Sequence, residues 1–337
     1  MTLFHSTTPF TYDTTTLMEA TALMVSVGSA GLLSNFLAMF VIYRNPLLHN
    51  TFGLLCFSHL VSNVGMLFCF TTWPVAMILN QDNDLAHSLT GKRFGQFTII
   101  FWWSCIIAHL AISINRYVSI VFPIKSYIWF TVSNTKYAIF CIWLIGFLVT
   151  IPYFWHDKCY VAFHAHTFQW TYAENPCGQF LSLFDFIGGV ILCSFAFTID
   201  MLTLFRLREA NNVIIQSIST NIRSQSQIMG LSTQTAAEAT KRRKTEIRFF
   251  TQAFTQCIVF CICLLSFHIF TLLSDSVWWQ FAMVTMIWIL AHSLDGLIVV
   301  LFHFRFSLCK GKHLTSTMML NSSTNRVETT HAPAGKF

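Results

Sequence analysis

The sequence predicts an all-α membrane protein in which seven transmembrane helices form one bundle. Hydrophobic residues make up 54% of its 337 residues and charged residues only 10%, a composition too apolar for a soluble domain of this length. The apolar residues gather into seven blocks, each long enough to cross a hydrocarbon core about 30 Å thick as a helix. The basic residues concentrate in alternate connections between these blocks, as in loops on the cytoplasmic side of a membrane.

Short polar connections separate the predicted spans, and most of them contain turn residues or charge. Arg44-Asn45-Pro46 and Glu174-Asn175-Pro176 are two such breaks, whereas Ser274-Asp275-Ser276 is the weakest of them. In chain order, the spans cover residues 20–43, 52–79, 95–121, 137–154, 180–205, 249–273 and 277–302.

The distribution of Lys and Arg predicts the orientation of the chain. With the amino terminus outside the cell, only Lys92, Arg93 and Lys158 of the twenty Lys and Arg residues face outward. Residues 1–19 then form an extracellular tail, and residues 303–337 form a cytoplasmic tail. We therefore expect a multi-pass protein of the plasma membrane, embedded in the lipid bilayer.

Several polar residues fall inside the predicted spans, where a buried polar group is costly unless it is satisfied. Asn35, Asn63, His292 and Asp295 are expected to share one hydrated cluster in the interior of the bundle. Trp288, His292 and Asp295 are spaced by four and three residues, which places them on one face of the seventh helix. That face is predicted to point inward.

The third predicted span ends in Asn115-Arg116-Tyr117, with Phe122-Pro123 following a turn later. An Arg at a helix end can simply extend toward the lipid headgroups, so Arg116 alone assigns no role. The whole segment, however, resembles the Asp/Glu-Arg-Tyr segment of rhodopsin-like G-protein-coupled receptors, with Asn115 in place of the acid. Trp143 in the fourth span also fits that pattern.

More narrowly, three segments resemble the nematode serpentine receptors of class x, a family regarded as chemosensory. They are Asn115-Arg116-Tyr117 with Phe122-Pro123-Ile124-Lys125, Glu246-Ile247-Arg248-Phe249-Phe250-Thr251-Gln252, and His292-Ser293-Leu294-Asp295-Gly296-Leu297-Ile298. The likeness covers nearly all of the chain except its two tails. It implies a rhodopsin-like receptor that binds a small molecule, signals to a heterotrimeric G protein and lies in the membrane of a sensory neuron.

The resemblance also implies a signalling switch at the cytoplasmic end of the third helix. Asn115, Arg116 and Tyr117 would form it, with Asp200 or Glu246 holding or releasing the guanidinium as the bundle changes state. Two departures from the broad rhodopsin-like pattern bear on this mechanism. The outer end of helix three has no Cys, and spans five, six and seven contain no Pro, so a Pro-hinged sixth helix is not expected.

Asp185 is the main candidate for ligand contact, because an acid within a membrane span is costly without a function or a partner. It could bind a cationic ligand, pair with a neighbouring donor or lie at the membrane interface. Several residues in the outer halves of other spans predict a largely aromatic pocket, although packing alone would explain any one of them. These residues are Trp102, Trp103, Phe184, His268 and Trp288.

Of the eleven cysteines, only Cys159 and Cys177 lie in the outer connection between spans four and five, in an oxidising compartment. We predict that they form a disulfide, with two free thiols as the alternative. The bond would close a loop rich in aromatic residues and make a compact lid. After the seventh span, the segment from Phe302 to Lys310 predicts a short amphipathic helix, in which Cys309 is either palmitoylated or an unmodified thiol.

Four histidines lie within the predicted spans, so a metal site must be weighed. His59 and His109 are each about two turns from the cytoplasmic face, whereas His268 is near the outer face, and one ion cannot collect these residues together with His292. We therefore expect satisfied interior histidines, no metal, no cofactor and no enzymatic activity. A seven-span ligand-gated channel or transporter is the alternative function, an intramembrane metal-dependent hydrolase is a further one, and no nucleic-acid partner is expected.

Overall fold

The computed structural model describes residues 13–80, 88–154, 158–224 and 231–302, with the backbone alone for residues 210–224, 231–246, 248 and 249. Seven of its helices are long and apolar enough to cross a membrane, which confirms the predicted all-α bundle of seven spans. The helices are α1 (Thr14–Arg44), α2 (Thr51–Asn80), α3 (Leu89–Val121), α4 (Val132–Thr150), α5 (Pro176–Ser224), α6 (Leu231–His268) and α7 (Val277–Phe302).

Polar side chains and prolines mark the beginnings of several helices. The Ser88 hydroxyl accepts a hydrogen bond from the Gly91 N–H at the start of α3. At the start of α4, the Thr131 hydroxyl accepts one from the Asn134 N–H. Pro176 occupies the first turn of α5, where its missing N–H costs no hydrogen bond. Between α3 and α4 a two-turn helix, Pro123–Trp129, also begins with proline.

Helix α6 ends five residues before the predicted end of the sixth span. It stops at His268, and Phe270–Leu273 continue as a 3-10 turn. Side chains of α7 satisfy the carbonyl groups left over at this helix end, since the Trp279 indole donates to the Phe270 carbonyl and the Gln280 amide donates to that of Thr271.

Helix α7 contains the other irregular segment. Residues Phe281–Met286 form a π-helical turn, in which the Ile287 N–H donates to the Ala282 carbonyl five residues earlier. The irregularity of α7 is therefore a widened turn, in a helix whose sequence contains no proline.

A two-stranded hairpin covers one end of the bundle, which we call the hairpin end. Strand β1 (Val161–His164) pairs antiparallel with β2 (Gln169–Tyr172), with Phe163 opposite Trp170. The strand β1 backbone lies directly against α3 at Gly95, where a side-chain carbon would collide with the Val161 carbonyl. The opposite end of the bundle carries Arg116, and we call it the Arg116 end.

Helix α3 occupies the centre of the bundle and contacts α2, α4, α5 and α6. Helix α4 lies at the edge and is held by few polar contacts, of which the Trp143 indole donating to the Ser58 hydroxyl at 3.0 Å is one. Large apolar side chains are exposed around the outside of the helices, including Leu33, Phe40 and Phe140. A surface of this kind suits lipid, since water would not cover it favourably.

Candidate functional site

A layer of aromatic rings fills the bundle beneath the hairpin. The Trp102 and Trp288 rings meet edge to face with their centroids 4.6 Å apart, and Phe70 stacks on Trp288 at 5.9 Å. The Trp170 ring of the hairpin packs on Phe70 from above, with centroids 5.3 Å apart. We call these four residues the aromatic layer, and it connects α2, α3 and α7 to the hairpin.

Asp185 of α5 lies beside this layer and is buried. Its Oδ2 accepts a hydrogen bond from the Tyr172 hydroxyl at 2.9 Å, so the hairpin holds one side of the carboxyl group. Its Oδ1 has no hydrogen-bond partner of normal geometry among the described residues, although the Trp102 and Trp103 indoles lie close to the carboxyl group. Burial, with the neighbouring Asp185, raises the pKa of the Tyr172 hydroxyl well above its usual range, so the hydroxyl stays a donor.

The other residues of the predicted pocket do not all point to the same place. The Trp103 ring packs between α3 and α5 against the backbone of Gly188. His268 is half-buried between Phe186 and Phe267, with ring centroids 4.5 and 4.8 Å away, and its Nε2 has no described hydrogen-bond partner.

Phe184 does not point fully into the bundle. Its side chain is 42% exposed on α5, where it stacks on Phe180, and its ring lies 5.6 Å from that of Trp103. The reason is helical geometry, since consecutive residues point about 100° apart and Asp185 takes the inward direction.

Three of the contacts that the structure describes tie the hairpin down as a lid over the aromatic layer. A disulfide joins Cys159 and Cys177, with their Cα atoms 5.4 Å apart. The Thr285 hydroxyl of α7 donates to the Phe168 carbonyl at 2.6 Å. The third contact is the hydrogen bond from Tyr172 to Asp185. The lid therefore connects directly to α5 and to the π-helical turn of α7.

The structure brings the four predicted interior polar residues together. Asp295 Oδ2 accepts hydrogen bonds from the Asn63 amide at 3.0 Å and from His59 Nε2 at 2.7 Å. The Asn63 amide oxygen in turn lies 2.7 Å from His292 Nδ1, and the Asn35 amide donates to the His292 carbonyl at 2.9 Å. These contacts join α1, α2 and α7 at the middle of the bundle.

Cysteine and glycine complete this interior cluster. The Cys105 thiol donates to the Asn63 amide oxygen at 3.2 Å and brings α3 into it. Gly296 allows α7 to approach the Asn35 backbone so closely that a side-chain carbon there would lie 2.7 Å from the Asn35 nitrogen. Sequence reasoning missed Cys105, because a cysteine in a span carries no signal that separates packing from hydrogen bonding.

Arg116 faces α2 at the opposite end of the bundle. Its guanidinium carbon lies 3.7 Å from the centre of the Phe52 ring, and the neighbouring Asn115 amide donates to the Thr51 hydroxyl at 3.3 Å. Tyr117 is half-buried, with its ring 6.2 Å from that of Phe122.

The role of Asp200 as a partner that holds or releases Arg116 stays a prediction. No hydrogen bond joins Arg116 to Asp200, both of which the structure describes, because Asp200 faces a different group of side chains on α3 and α6. The side chain of Glu246, the other expected partner, lies outside the described residues. The predicted helix after the seventh span, with Cys309, also lies outside the described residues. The same is true of both predicted tails, except for Asp13 to Glu19 of the first tail.

An open groove lies elsewhere, on the outward face between α2 and α3. Its lining includes Phe68, Arg93 and Phe97, and none of the predicted ligand residues contributes to it. Beneath the hairpin, by contrast, Trp102, Asp185 and Trp288 are buried, have polar atoms without a hydrogen-bond partner of normal geometry and lie among aromatic rings.

Comparisons with known proteins agree with one another. The model of the family described as "Serpentine type 7TM GPCR chemoreceptor Srx" matches residues 25–303. Serpentine receptor class X 45 of Caenorhabditis elegans is 25% identical over 290 residues, which are 82% of this chain and 76% of that protein. Probable G-protein coupled receptor 21 of Homo sapiens is 30% identical over 156 residues, 44% of this chain and 43% of that protein.

A solved structure has the same arrangement of helices. The crystal structure of squid rhodopsin matches with a TM-score of 0.68 over 96% of this chain and 94% of that chain. The sequence identity is 13%, so this likeness shows a shared fold and nothing about ligands.

Proposed function

The chain belongs to the serpentine class x family of seven-transmembrane chemoreceptors, and we propose that it is a chemosensory G-protein-coupled receptor and not an enzyme. It is a multi-pass membrane protein with the rhodopsin-like fold. In the proposed mechanism a small molecule binds at the hairpin end and shifts a two-state equilibrium of the bundle. The Arg116 end then opens to a heterotrimeric G protein.

The Asp185 oxygen beneath the lid, which lacks a hydrogen-bond partner of normal geometry, is the observation that carries the proposed ligand site. A buried oxygen that is not fully satisfied is costly, and a ligand with an ammonium or hydroxyl group would satisfy it. The apolar part of the same ligand would contact the indole rings of Trp102 and Trp288, a ring type suited to cations and to apolar groups. This arrangement favours a compact amphipathic molecule, with a cationic one preferred.

The distribution of charge supports an orientation with the hairpin end outside the cell. Lys92, Arg93 and Lys158 are the only basic residues that this orientation places outside, out of twenty Lys and Arg. The disulfide of the lid then lies in an oxidising compartment, where it persists. The Arg116 end faces the cytoplasm, where a G protein is available, and a sensory neuron is the cell we propose.

A continuous set of contacts leads from the proposed ligand site toward the Arg116 end. Trp288 belongs to the aromatic layer and packs on Trp102. One turn further along α7, His292 contacts Asn63. Asn63 and Asp295 then connect α7 to α2, the helix whose Phe52 ring lies under Arg116. We propose that ligand binding rearranges this polar cluster and thereby changes the environment of Arg116.

Replacing Asp185 by asparagine is expected to weaken activation by cationic ligands at least tenfold, because a charge-assisted hydrogen bond contributes about 1.5–3 kcal/mol. The change keeps the size of the side chain and its contact with Tyr172, so folding should be preserved. Dose–response curves in reporter cells measure the effect, with exposed Asp275→Asn as the matched control. Equal potency of cationic agonists on D185N and the parent receptor would remove Asp185 from the ligand site.

Replacing Arg116 by alanine is expected to reduce the maximal agonist-evoked signal at least about tenfold, a change within the usual range of coupling between sites. The substitution removes the guanidinium from Phe52 and from the surface proposed to meet the G protein. Signal amplitude at matched surface expression is the measurement, and exposed Lys125→Ala on the neighbouring short helix is the control. Signalling that survives intact in R116A would exclude Arg116 as the switch.

Expression in a reporter cell tests the proposal as a whole. Panels of volatile and water-soluble molecules, with amines paired to their neutral isosteres, are applied and G-protein activation is read out. The expected result is activation by a subset that is enriched in amines. Ionic currents evoked in cells lacking G proteins would instead favour the ligand-gated channel or transporter.

A further inference from the structure

Three buried side chains from three helices converge in the half of the bundle nearer the Arg116 end. They are His109 of α3, Asp200 of α5 and Cys257 of α6, and one ligand-type atom from each lies within 4.8 Å of the others. All three are almost completely shielded from solvent. None of them belongs to the aromatic layer or to the interior polar cluster around Asp295.

The polar atoms of this group lack the partners that burial demands. Neither ring nitrogen of His109 has a hydrogen-bond partner among the described residues. Neither carboxylate oxygen of Asp200 has a hydrogen-bond partner of normal geometry among the described residues, although the Ser113 hydroxyl lies beside the carboxylate. Buried polar groups in folded proteins nearly always have partners, so four such atoms without a protein partner of normal geometry favour a ligand-binding role for this group.

We propose that His109, Asp200 and Cys257 bind a zinc ion that ties α3, α5 and α6 together. Imidazole nitrogen, carboxylate oxygen and thiolate sulfur are the three donor types that zinc accepts in proteins. The charges also balance, since one carboxylate and one thiolate neutralise the two positive charges of the ion and the imidazole is neutral. Binding releases the Cys257 thiol proton to water, and the neutral complex suits an apolar interior.

The spacing of the three ligand atoms fits this ion with a small adjustment. Tetrahedral zinc with bonds of about 2.0–2.3 Å holds its ligand atoms roughly 3.3–3.8 Å apart. The observed separations of at most 4.8 Å therefore need a contraction of about an ångström, which side-chain rotation provides.

A water molecule would complete the tetrahedron and keep the complex neutral. Cys261 lies one turn beyond Cys257, and its thiol is within hydrogen-bonding reach of both Cys257 and Cys193 of α5. This thiol would stay protonated beside the site. Zinc is favoured over Mg²⁺ or Ca²⁺, because those ions require oxygen ligands.

A second group of possible ligands, His59, Cys105 and Asp295, does not carry the same inference. Its histidine and acid already form a hydrogen bond of 2.7 Å, and the Asn63 amide donates to the same carboxylate. An ion there would have to break contacts that satisfy the group. The two groups are thus distinguishable by mutation.

Zinc bound at the first site would act on the movement of the helices. His109 lies seven residues, about two turns, before Arg116 on α3, so both side chains point in nearly the same direction. An ion joining α3 to α5 and α6 would resist their separation next to the Arg116 end. The ion therefore stabilises the closed bundle and lowers basal signalling.

The metal content of the full-length receptor tests the site without any agonist. The protein is purified in detergent, stripped with EDTA, dialysed against a limited excess of Zn²⁺ and analysed by mass spectrometry of the metal. The parent is expected to retain about one zinc per chain. Substitutions of residues that support a metal ligand weaken metal binding roughly 10–100-fold. Asp200→Asn and Cys257→Ser change the ligands themselves, so each is expected to weaken zinc binding by more than this.

Cobalt supplies a spectroscopic readout of the sulfur ligand. Co²⁺ in place of zinc is expected to give a thiolate-to-metal absorption band in the parent and in the control Cys69→Ser, a buried cysteine on α2. The band is expected to be absent in C257S. Because D200N removes a buried charge, it should fold even where the other variants do not, and size-exclusion chromatography checks this.

Three outcomes would overturn the proposal. One is a parent receptor that holds no more zinc than D200N, and another is a cobalt band that persists in C257S. The third is zinc that is retained in D200N and lost in Cys105→Ser, which would assign the ion to the other group. None of these measurements depends on a ligand or a G protein, so they are independent of the proposed receptor function.

Discussion

Replacing Asp295 by alanine is expected to lower the free energy of unfolding by about 3 kcal/mol, equivalent to roughly a hundredfold change in the folding equilibrium. The Asp295 carboxylate accepts hydrogen bonds from His59 and from Asn63, and all three side chains are buried. Alanine would leave the Asn63 amide without its acceptor, and His59 Nε2 would keep only the weak contact with the Cys105 sulfur at 3.5 Å. The cost of those unsatisfied groups exceeds the value of the hydrogen bonds themselves.

Unfolding of the purified receptor in detergent, by heat or by SDS titration, measures this effect. Asp295→Asn is expected to be milder, because the amide oxygen still accepts one of the two hydrogen bonds. Asp275→Ala, at an exposed position between α6 and α7, is the control and should leave the unfolding midpoint unchanged. If D295A unfolded at the midpoint of the parent, the interior cluster would contribute nothing to stability.

Replacing Cys159 by serine is expected to cost about 3 kcal/mol, the value for a disulfide that closes a loop of this size. The bond joins residues 18 positions apart and encloses the whole hairpin. Without it the unfolded chain gains conformational freedom, and the lid loses its covalent attachment while the hydrogen bonds of Thr285 and Tyr172 remain. We therefore also expect weaker agonist binding, since Tyr172 fixes one side of Asp185.

Thermal unfolding with and without reductant separates the disulfide from other effects of the substitution. Reduced parent protein should unfold at the midpoint of C159S, and reductant should leave C159S unaffected. Cys141→Ser serves as the control, because Cys141 is a free, exposed thiol on α4. A parent receptor whose midpoint is insensitive to reductant would argue against any role of the bond in stability.

The sequence predicts the fold of this protein well because lipid restricts the choices of the chain. A segment that crosses a bilayer must satisfy its own backbone hydrogen bonds, so length and hydropathy identify the helices. The same reasoning places Cys159 and Cys177 in one connection, where the structure joins them. These inferences need only the order of residues and a single boundary between lipid and water.

The neighbours of individual side chains depend on information that hydropathy lacks. Periodicity shows which residues share one face of a helix, but it does not show how that helix is rotated or offset relative to others. For this reason hydropathy does not show that the Phe184 side chain is 42% exposed on α5, or that Asp200 lies near His109. The partnership of Tyr172 with Asp185 depends on the register of a hairpin that hydropathy does not reveal.

The π-helical turn of α7 determines which way the rest of that helix faces. In a π-helical turn the backbone hydrogen bonds join residues five apart, so the turn holds one more residue than an α-helical turn. It therefore sets the direction in which the side chains of the following residues point. Thr285 within the turn is attached to the lid, while His292 and Asp295 beyond it reach the interior cluster. An α-helical turn containing the same residues would rotate Asp295 away from Asn63 by about 100°, toward lipid. Substitutions that favour a regular α-helical turn over Phe281–Met286 are therefore expected to break one of the two attachments.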